Sequence, residues 1–305
     1  MSTALALRQV TKRYGRGAKA LDGMTFSIPT GAIAGFVGPN GAGKTTTFSV
    51  VCGFLSPDEG EVDVLGRGPF VAGEFKGQLG VLPQDAELPD RHTPVELLAH
   101  LGRLQGMART EARREADRLV ELVRLGDRRH ARIATLSHGM RRRVAVASAL
   151  CGSPPLVLLD EPLAGLDPAQ AYSLRDNLAS LRGEQTLVVS SHNLGEIERL
   201  CDWIVMVRDG RCLREGPVDE VTGAAAVSRW ELGPGELALE PLRRALPDAT
   251  IEREGSVLVV RSSGRDEGAP DAVAAAVMRC LVEAGVPLRG LSRGVGLERR
   301  FLDDE

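Results

Sequence analysis

One short segment of the chain combines glycines, a lysine and a hydroxyl group at a spacing that suits a polyphosphate. It matches G-x-x-x-x-G-K-[ST] and runs Gly38-Pro39-Asn40-Gly41-Ala42-Gly43-Lys44-Thr45, with Thr46 next in the chain. In such a loop backbone N–H groups surround the phosphates, the lysine reaches the β and γ phosphates, and the hydroxyl ligates Mg²⁺. The alternative is a structural glycine turn before a helix. Because every fixed position matches, the segment predicts a nucleoside triphosphate site, with Lys44 catalytic and Thr45 a metal ligand.

A second segment places two carboxylates at the end of an apolar run. Residues 156–159 are apolar, and Asp160 and Glu161 follow them. After a phosphate-binding loop, this pattern predicts that Asp160 lies beside Mg²⁺, directly or through water. Glu161 would then polarise a water molecule against the γ-phosphate. Taken alone, an apolar run that ends in Asp-Glu is more often a strand end facing solvent, so the prediction depends on both segments together.

These residues need a scaffold that brings the ends of separate strands together. Over roughly the first 200 residues, apolar runs alternate with longer helical patterns, which predicts an α/β fold with a largely parallel sheet. Gln84, Asp160 and His192 each follow an apolar run, and open α/β sheets gather their chemistry beyond the carboxyl ends of the strands. We therefore expect these three side chains at one edge of the sheet. The predicted strands are residues 32–37, 79–82, 156–159 and 186–190.

Further elements are predicted on either side of these strands. Edge β-structure is expected over residues 10–28, and a hairpin around Asp209-Gly210, which supplies the positive φ angles of a tight turn. A helical insertion begins near residue 85, where Thr93 and Glu96 form a capping box with Pro94 at the first helical position. The predicted helices of this region are residues 95–104, 110–125 and 139–150.

The composition changes after Gly216, and the last part of the chain has the pattern of a small α+β domain. Its predicted order is βαββαβ, which is a ferredoxin-like pattern. The predicted elements are residues 228–232, 236–246, 250–253, 257–261, 270–284 and 287–291.

The composition of the 305 residues restricts the class of protein. Hydrophobic residues make up 43% and charged residues 26%, which is typical of a globular chain. The net charge of −3 and the 4% of aromatic residues argue against a nucleic-acid partner. The five cysteines form no C-x-x-C pair, so neither a zinc ribbon nor a disulfide framework is expected. Neither a signal peptide nor a membrane-spanning run is predicted.

Five further features occur in the order found in one known family, and they extend over about residues 3–220. They are Tyr14, Gln84, Leu136-Ser137-His138-Gly139-Met140, Ala164-Gly165-Leu166-Asp167 and His192. With the two segments above, the sequence resembles the ATP-binding cassette family, the nucleotide-binding subunits of ABC transporters. The resemblance implies that Tyr14 stacks on adenine, that Gln84 senses Mg²⁺ and couples to a membrane partner, and that His192 contacts the γ-phosphate.

The middle motif departs from the family pattern, which is commonly Leu-Ser-Gly-Gly-Gln. His138 replaces the first glycine and Met140 replaces the glutamine, while Ser137 and Gly139 remain at a predicted helix start. In the family this signature serves the ATP of the opposing subunit, so the resemblance implies a dimer with Ser137, Gly139 and Asp167 at a shared site. Structural alternatives exist for three of these residues: Tyr14 covers the sheet edge, Gln84 is an ordinary turn residue after Pro83, and His192 neighbours a helix cap. For Arg141-Arg142-Arg143, we favour a solvated basic face.

The resemblance implies a P-loop cassette over residues 1–220, with a helical subdomain at about 85–150 and an accessory domain over 221–305. It implies ATP and Mg²⁺ as cofactors, a second copy of the chain and an integral-membrane permease as partners, and no nucleic acid. The expected location is cytoplasmic, peripheral on the inner face of the cell membrane. Residues 297–302 resemble the tail of exporter subunits, which favours export. The alternative is an amphipathic helix that covers the small sheet, and both can be true.

Two other functions stay open. One is an ABC ATPase that acts on ribosomes or DNA, although such proteins usually carry two cassettes or basic extensions. The other is a catalytically silent regulatory subunit, against which the presence of Lys44, Asp160, Glu161 and His192 argues.

Overall fold

The computed structural model describes residues 2–15, 17–222, 227–262, 269–294 and 297. The chain forms two compact units, Met1–Glu215 and Gly216–Glu305. In chain order the elements that begin in the first unit are β1 (Thr3–Arg13), β2 (Lys19–Pro29), β3 (Ile33–Val37), α1 (Lys44–Val51), β4 (Glu59–Val64), β5 (Leu79–Leu82), α2 (Pro94–Leu104), α3 (Arg109–Leu122), α4 (His138–Ala149), β6 (Leu156–Asp160), α5 (Pro168–Ala179), β7 (Thr186–Ser191), α6 (Leu194–Leu200), β8 (Trp203–Arg208) and β9 (Arg211–Pro217).

A six-stranded sheet forms the centre of the first unit, with the strand order β5-β6-β7-β3-β8-β9. The pairs from β5 to β8 are parallel, which confirms the predicted α/β fold. Every residue of β3, β6 and β7 is buried, as is typical of the central strands of a parallel sheet covered on both faces. Asp160 of β6 pairs in register with Ser190 of β7, and Ser191 pairs with Val37 of β3. The carboxyl ends of these three strands are therefore level.

A second, antiparallel sheet has the order β2-β1-β4. It contains the edge β-structure predicted over residues 10–28, but β1 begins earlier, at Thr3, and β4 was not predicted. Phe26 of β2 packs 5.3 Å from Phe36 of β3, measured between ring centroids. The buried apolar residues of both sheets form one core, which also includes Phe48 of α1. This core holds α1, and with it the loop that precedes α1, against the sheets.

The helical insertion lies between β5 and β6. Its first helix begins at the predicted capping box: the Thr93 N–H donates to Glu96 Oε2 at 2.9 Å, and the Glu96 N–H donates to Thr93 Oγ1 at 3.3 Å. Helix α3 ends at Leu122, three residues before the predicted end. The chain leaves this helix through Arg124, whose φ of 51° lies in the left-handed region and cannot continue a right-handed helix.

The second unit contains α7 (Val218–Thr222), β10 (Val227–Leu232), α8 (Glu240–Ala245), β11 (Thr250–Glu254), β12 (Val257–Arg261), α9 (Ala269–Ala284) and β13 (Leu288–Arg293). Its antiparallel sheet has the order β11-β12-β10-β13, as the ferredoxin-like pattern requires. A separate core surrounds the fully buried Trp230. Helix α8 is shorter than predicted. Pro241 lies in its first turn, where backbone N–H groups have no partner within the helix, so the missing N–H of proline costs no hydrogen bond. Most of the predicted tail, residues 298–302, lies outside the described residues.

Candidate functional site

The glycine-rich loop connects β3 to α1, as its pattern predicted. Gly43, the N-cap of α1, has a φ of 99°, a conformation that L side chains rarely adopt. A Cβ atom at Gly38 would lie 2.2 Å from the Val207 carbonyl oxygen. Backbone conformation therefore requires glycine at position 43, and close packing requires it at position 38. The loop leads into the N-terminus of α1, where unpaired N–H groups favour an anion.

Lys44 bends back over this loop. Its Nζ donates to the carbonyl oxygens of Gly38 and Pro39 at 2.7 and 3.1 Å. Burial lowers the pKa of Lys44, while the charges of Glu161 and Asp160 oppose that shift. The ammonium group thus lies in the mouth of the loop on neutral acceptors, from which it can move to a phosphate oxygen.

Asp160 lies beside the first hydroxyl of α1. The Thr45 hydroxyl donates to Asp160 Oδ2 at 3.4 Å, and the buried Ser190 hydroxyl donates to Asp160 Oδ1. Asp160 as a whole is only 3% exposed. A hydroxyl and a carboxylate from neighbouring elements therefore face each other where β6 ends.

Glu161 is held at its backbone and at its side chain. Its φ of 51° is uncommon for a residue with a side chain. Its N–H donates to the Ser190 carbonyl oxygen at 3.2 Å and to Ser190 Oγ at 3.0 Å. Glu161 Oε1 lies 3.0 Å from the His192 backbone nitrogen, which donates to it, and 2.9 Å from His192 Nδ1. This geometry directs a carboxylate and an imidazole to the same point beyond the sheet.

The predicted residues converge on a cleft of about 680 Å³. Its lining includes Asn40, Gly41, Gly43, Lys44, Thr45, Thr46, Gln84, Asp160, Glu161 and His192. The lining also includes Ala20 and Asp85, which the sequence did not single out, together with Arg142 and, from the family motifs, His138, Ala164 and Gly165. The glycine loop, the Lys44 ammonium group and two carboxylates therefore line one cleft.

Seven residues predicted to bind ATP do not line this cleft: Gly38, Pro39 and Ala42 of the glycine-rich loop, and Tyr14, Ser137, Gly139 and Asp167. Tyr14 is 54% exposed, and its hydroxyl lies 3.4 Å from Thr46 Oγ1. Ser137 is the N-cap of α4, and its Oγ accepts a hydrogen bond from the Met140 N–H at 3.3 Å. The hydroxyl oxygen is therefore occupied, but the hydroxyl proton can still be donated to another group. Asp167 caps α5 and accepts from the Gln170 N–H at 2.9 Å. Gly139 is buried beneath Gln170, whose Oε1 would lie 2.3 Å from an added Cβ.

The predicted solvated basic face is wrong for Arg142, which is 9% exposed. Arg142 Nη1 donates to the Gln84 carbonyl oxygen at 3.0 Å, and Nη2 donates to the carbonyl oxygens of Asp160 and Glu161 at 2.5 and 2.8 Å. Arg143 also turns inward, and it donates to the carbonyl oxygen of Val123 at 3.2 Å. The missed signal was helical spacing, since Ala145 and Ala149, three and seven residues after Arg142, are buried on α4.

Comparison with known proteins agrees with this geometry. Residues 21–164 match the family described as ABC transporter. The Nod factor export ATP-binding protein I of Burkholderia orbicola (strain AU 1054) is 38% identical over 220 residues, which are 71% of this chain and 72% of that protein. The daunorubicin resistance ATP-binding protein DrrA3 of Streptomyces coeruleorubidus is 33% identical over 307 aligned positions, 99% of this chain and 94% of that protein.

Solved structures show the same architecture. The chain resembles cbiO1 from Clostridium perfringens, part of the ABC transporter complex cbiONQ, with a TM-score of 0.67 at 24% identity over 73% of this chain and 92% of that one. It also resembles the ATP-binding cassette MJ0796, solved as a dimer in a post-hydrolysis state bound to ADP and Pi. There the TM-score is 0.64 at 26% identity, over 70% of this chain and 98% of that one.

The fold and the cleft define a P-loop ATPase, because a glycine loop, a lysine and two strand-end carboxylates surround one space. The relatives refine this class: the chain belongs to the ABC transporter family, as an ATP-binding subunit that hydrolyses ATP. In the described part of the chain, no helix combines the length and the apolar character that a membrane crossing requires.

Proposed function

We propose that the chain powers an ABC exporter by hydrolysing ATP in this cleft, paired with a second copy and docked on a separate membrane permease. One observation carries the proposal: Lys44, Thr45, Asp160, Glu161 and His192 come from three different strand ends and line a single cleft. Neither a structural turn nor a silent regulatory subunit requires all five.

The roles of the residues follow from their places. Residues 38–46 supply backbone amides and Lys44 to the phosphates, and exposed Tyr14 offers a ring for adenine. Glu161 accepts a proton from the attacking water, and His192 holds that carboxylate through Oε1 until the γ-phosphate arrives. The proposal therefore assigns general-base work to Glu161 and orientation to His192.

The cleft fits Mg²⁺ bound with ATP. Thr45 Oγ1 and Asp160 Oδ2, 3.4 Å apart, are oxygen donors, and Gln84 lines the same cleft. Mg²⁺ commonly takes one or two protein oxygens together with substrate phosphates, which agrees with this small donor set. When bound, the ion neutralises charge on the β and γ phosphate oxygens.

We infer that a second copy completes the site. Ser137, Gly139 and Asp167 do not line the cleft of their own chain, although the family places these motifs at ATP. A second chain facing the first would bring its Ser137 hydroxyl and the start of α4 to the γ-phosphate. The dimeric state of the related cassette bound to ADP and Pi supports this arrangement.

We further propose that the partner permease lies in the cell membrane and that this chain binds its inner, cytoplasmic face. The relatives named for Nod factor export and for daunorubicin resistance support export as the direction. The insertion that contains α2 and α3 follows directly on Gln84, which makes it the candidate contact with the permease.

Replacing Ser137 with Ala tests the shared site. We expect turnover to fall by about 10- to 100-fold, because one charge-assisted hydrogen bond to a phosphate is worth about 1.5–3 kcal/mol. ATP binding to the separate chain should not change, since Ser137 does not line its own cleft. Steady-state phosphate release and calorimetry measure the two quantities.

A cap lost at another helix provides the control. Both Ser137→Ala and Thr93→Ala remove a helix N-cap, and each should lower the free energy of unfolding by about 1 kcal/mol. Thr93→Ala should leave turnover unchanged. Equal turnover in Ser137→Ala and the wild type would contradict the shared site. Substitution of Gly139 is a poorer test, because a side chain there would first meet Gln170 of its own chain.

The last 90 residues, 216–305, are proposed to be an accessory domain, near the boundary at residue 220 that the sequence suggests. The apolar core around Phe36 and the core around Trp230 have no residue in common. Deleting residues 221–305 should therefore leave ATP affinity unchanged in calorimetry. A truncated chain that retains its circular dichroism spectrum but no longer binds ATP would contradict this boundary.

A further inference from the structure

Arg142 is a buried cation that the roles above do not use. Its guanidinium group reaches from α4 to three carbonyl oxygens, those of Gln84, Asp160 and Glu161. No acceptor in the described part of the chain pairs with its Nε. Burying a guanidinium group without a direct ion pair is costly. A role in stability alone is therefore a weak explanation for an arginine here.

The three acceptors belong to adjacent strand ends. Gln84 follows β5, and Asp160 ends β6, which pairs with β5 in parallel. One planar group with a fixed fork of donors thus joins two loops that border the ATP cleft.

The contact with Glu161 completes a set of restraints on that residue. Ser190 accepts from its N–H, Arg142 donates to its carbonyl oxygen, and His192 donates to its carboxylate. The φ of 51° at Glu161 must be maintained by its surroundings, since the conformation is unfavourable for a residue with a Cβ atom. Arg142 is the member of this set that comes from the helical insertion.

We propose that Arg142 is a positioning residue for hydrolysis: it fixes the carbonyl end of Glu161, and thereby aims the carboxylate at the attacking water. This inference rests on the proposed function, because it concerns the same base. Arg142 acts through Glu161 on the chemical step and contributes little to the affinity for ATP.

Arg142→Met tests the proposal in the full-length protein. We expect kcat to fall by about 10- to 100-fold, the loss that small misplacement of a reacting group produces. The dissociation constant for ATP should stay at the wild-type value. Arg142→Lys keeps the charge but not the fork and should give an intermediate kcat. It also carries the test if the Met variant does not fold.

Arg143→Met is the matched control. Arg143 lies on the same helix and donates to the carbonyl oxygens of Val123 and Arg124, and among the described residues its Nε likewise has no acceptor. It touches neither Asp160 nor Glu161 in these bonds. This variant should keep the wild-type kcat even if its melting temperature falls as far as that of Arg142→Met.

A second arm separates positioning from general support of the fold. In a Glu161→Gln background, Arg142→Met should lower turnover no further, because the group that it positions is already gone. Three outcomes would each overturn the proposal. The first is a wild-type kcat in Arg142→Met, and the second is an equal loss of kcat in Arg142→Met and Arg143→Met. The third is a loss of kcat from Arg142→Met that is just as large in the Glu161→Gln background. Absence of turnover in the wild-type protein would instead contradict the proposed function itself.

Discussion

Replacing Glu161 with Gln is expected to lower the rate of ATP hydrolysis by about 100-fold or more, the scale of losing a general base. Glutamine keeps the size of the side chain and can still face His192, but it cannot accept the proton of the attacking water. ATP affinity should persist, because the substitution leaves Lys44 and the glycine loop, the proposed phosphate-binding groups, unchanged. Phosphate release and calorimetric binding measure the two quantities on the same preparation.

The matched control for this variant is Glu59→Gln, which makes the same chemical change at an exposed residue of β4, away from the cleft. It should leave both quantities unchanged. If Glu161→Gln hydrolyses ATP as fast as the wild type, Glu161 is not the base and the proposed mechanism is wrong at its central residue.

Replacing Lys44 with Ala should weaken both binding and turnover. The ammonium group, now on the carbonyl oxygens of Gly38 and Pro39, would contact phosphate in the ground state and in the transition state. Loss of a charge-assisted contact of about 1.5–3 kcal/mol corresponds to about 10- to 100-fold weaker ATP binding. Turnover at saturating ATP should fall by about 100-fold or more, as when a preorganised donor to developing charge is removed.

Calorimetric titration with ATP, followed by rates at saturating ATP, separates the two effects. Lys76→Ala removes an exposed lysine of the same unit that does not line the cleft, and should change neither. Wild-type affinity together with wild-type turnover in Lys44→Ala would contradict the phosphate-binding role of the loop.

Local patterns predicted much of the scaffold. The strand Leu79–Leu82 has its predicted bounds, because the apolar run is short and the proline that follows it ends the strand. The capping box at Thr93 fixed the start of α2 through two hydrogen bonds within four residues. Asp160 and Glu161 were predictable for a similar reason, since an apolar strand delivers whatever polar residues follow it.

Contacts between elements could not be predicted in the same way. Three consecutive arginines have the composition of a solvated face, and only the packing of α4 against the ends of β5 and β6 shows that Arg142 is buried. Ser190 lies one residue before the end of β7, yet its bonds to Asp160 and Glu161 depend on β6 and β7 being neighbours. The sequence alone contains no local signal for such a pairing.

The central claim is that ATP joins two copies of this chain over the cleft, and the mass of Glu161→Gln in solution tests it most directly. Sedimentation would be measured without nucleotide, with ADP and with ATP at one protein concentration. The account predicts a monomer in the first two conditions and a dimer that holds two ATP molecules in the third, because only the γ-phosphate meets Ser137 of the second copy. A chain that binds ATP with full affinity and still sediments as a monomer would contradict the shared site.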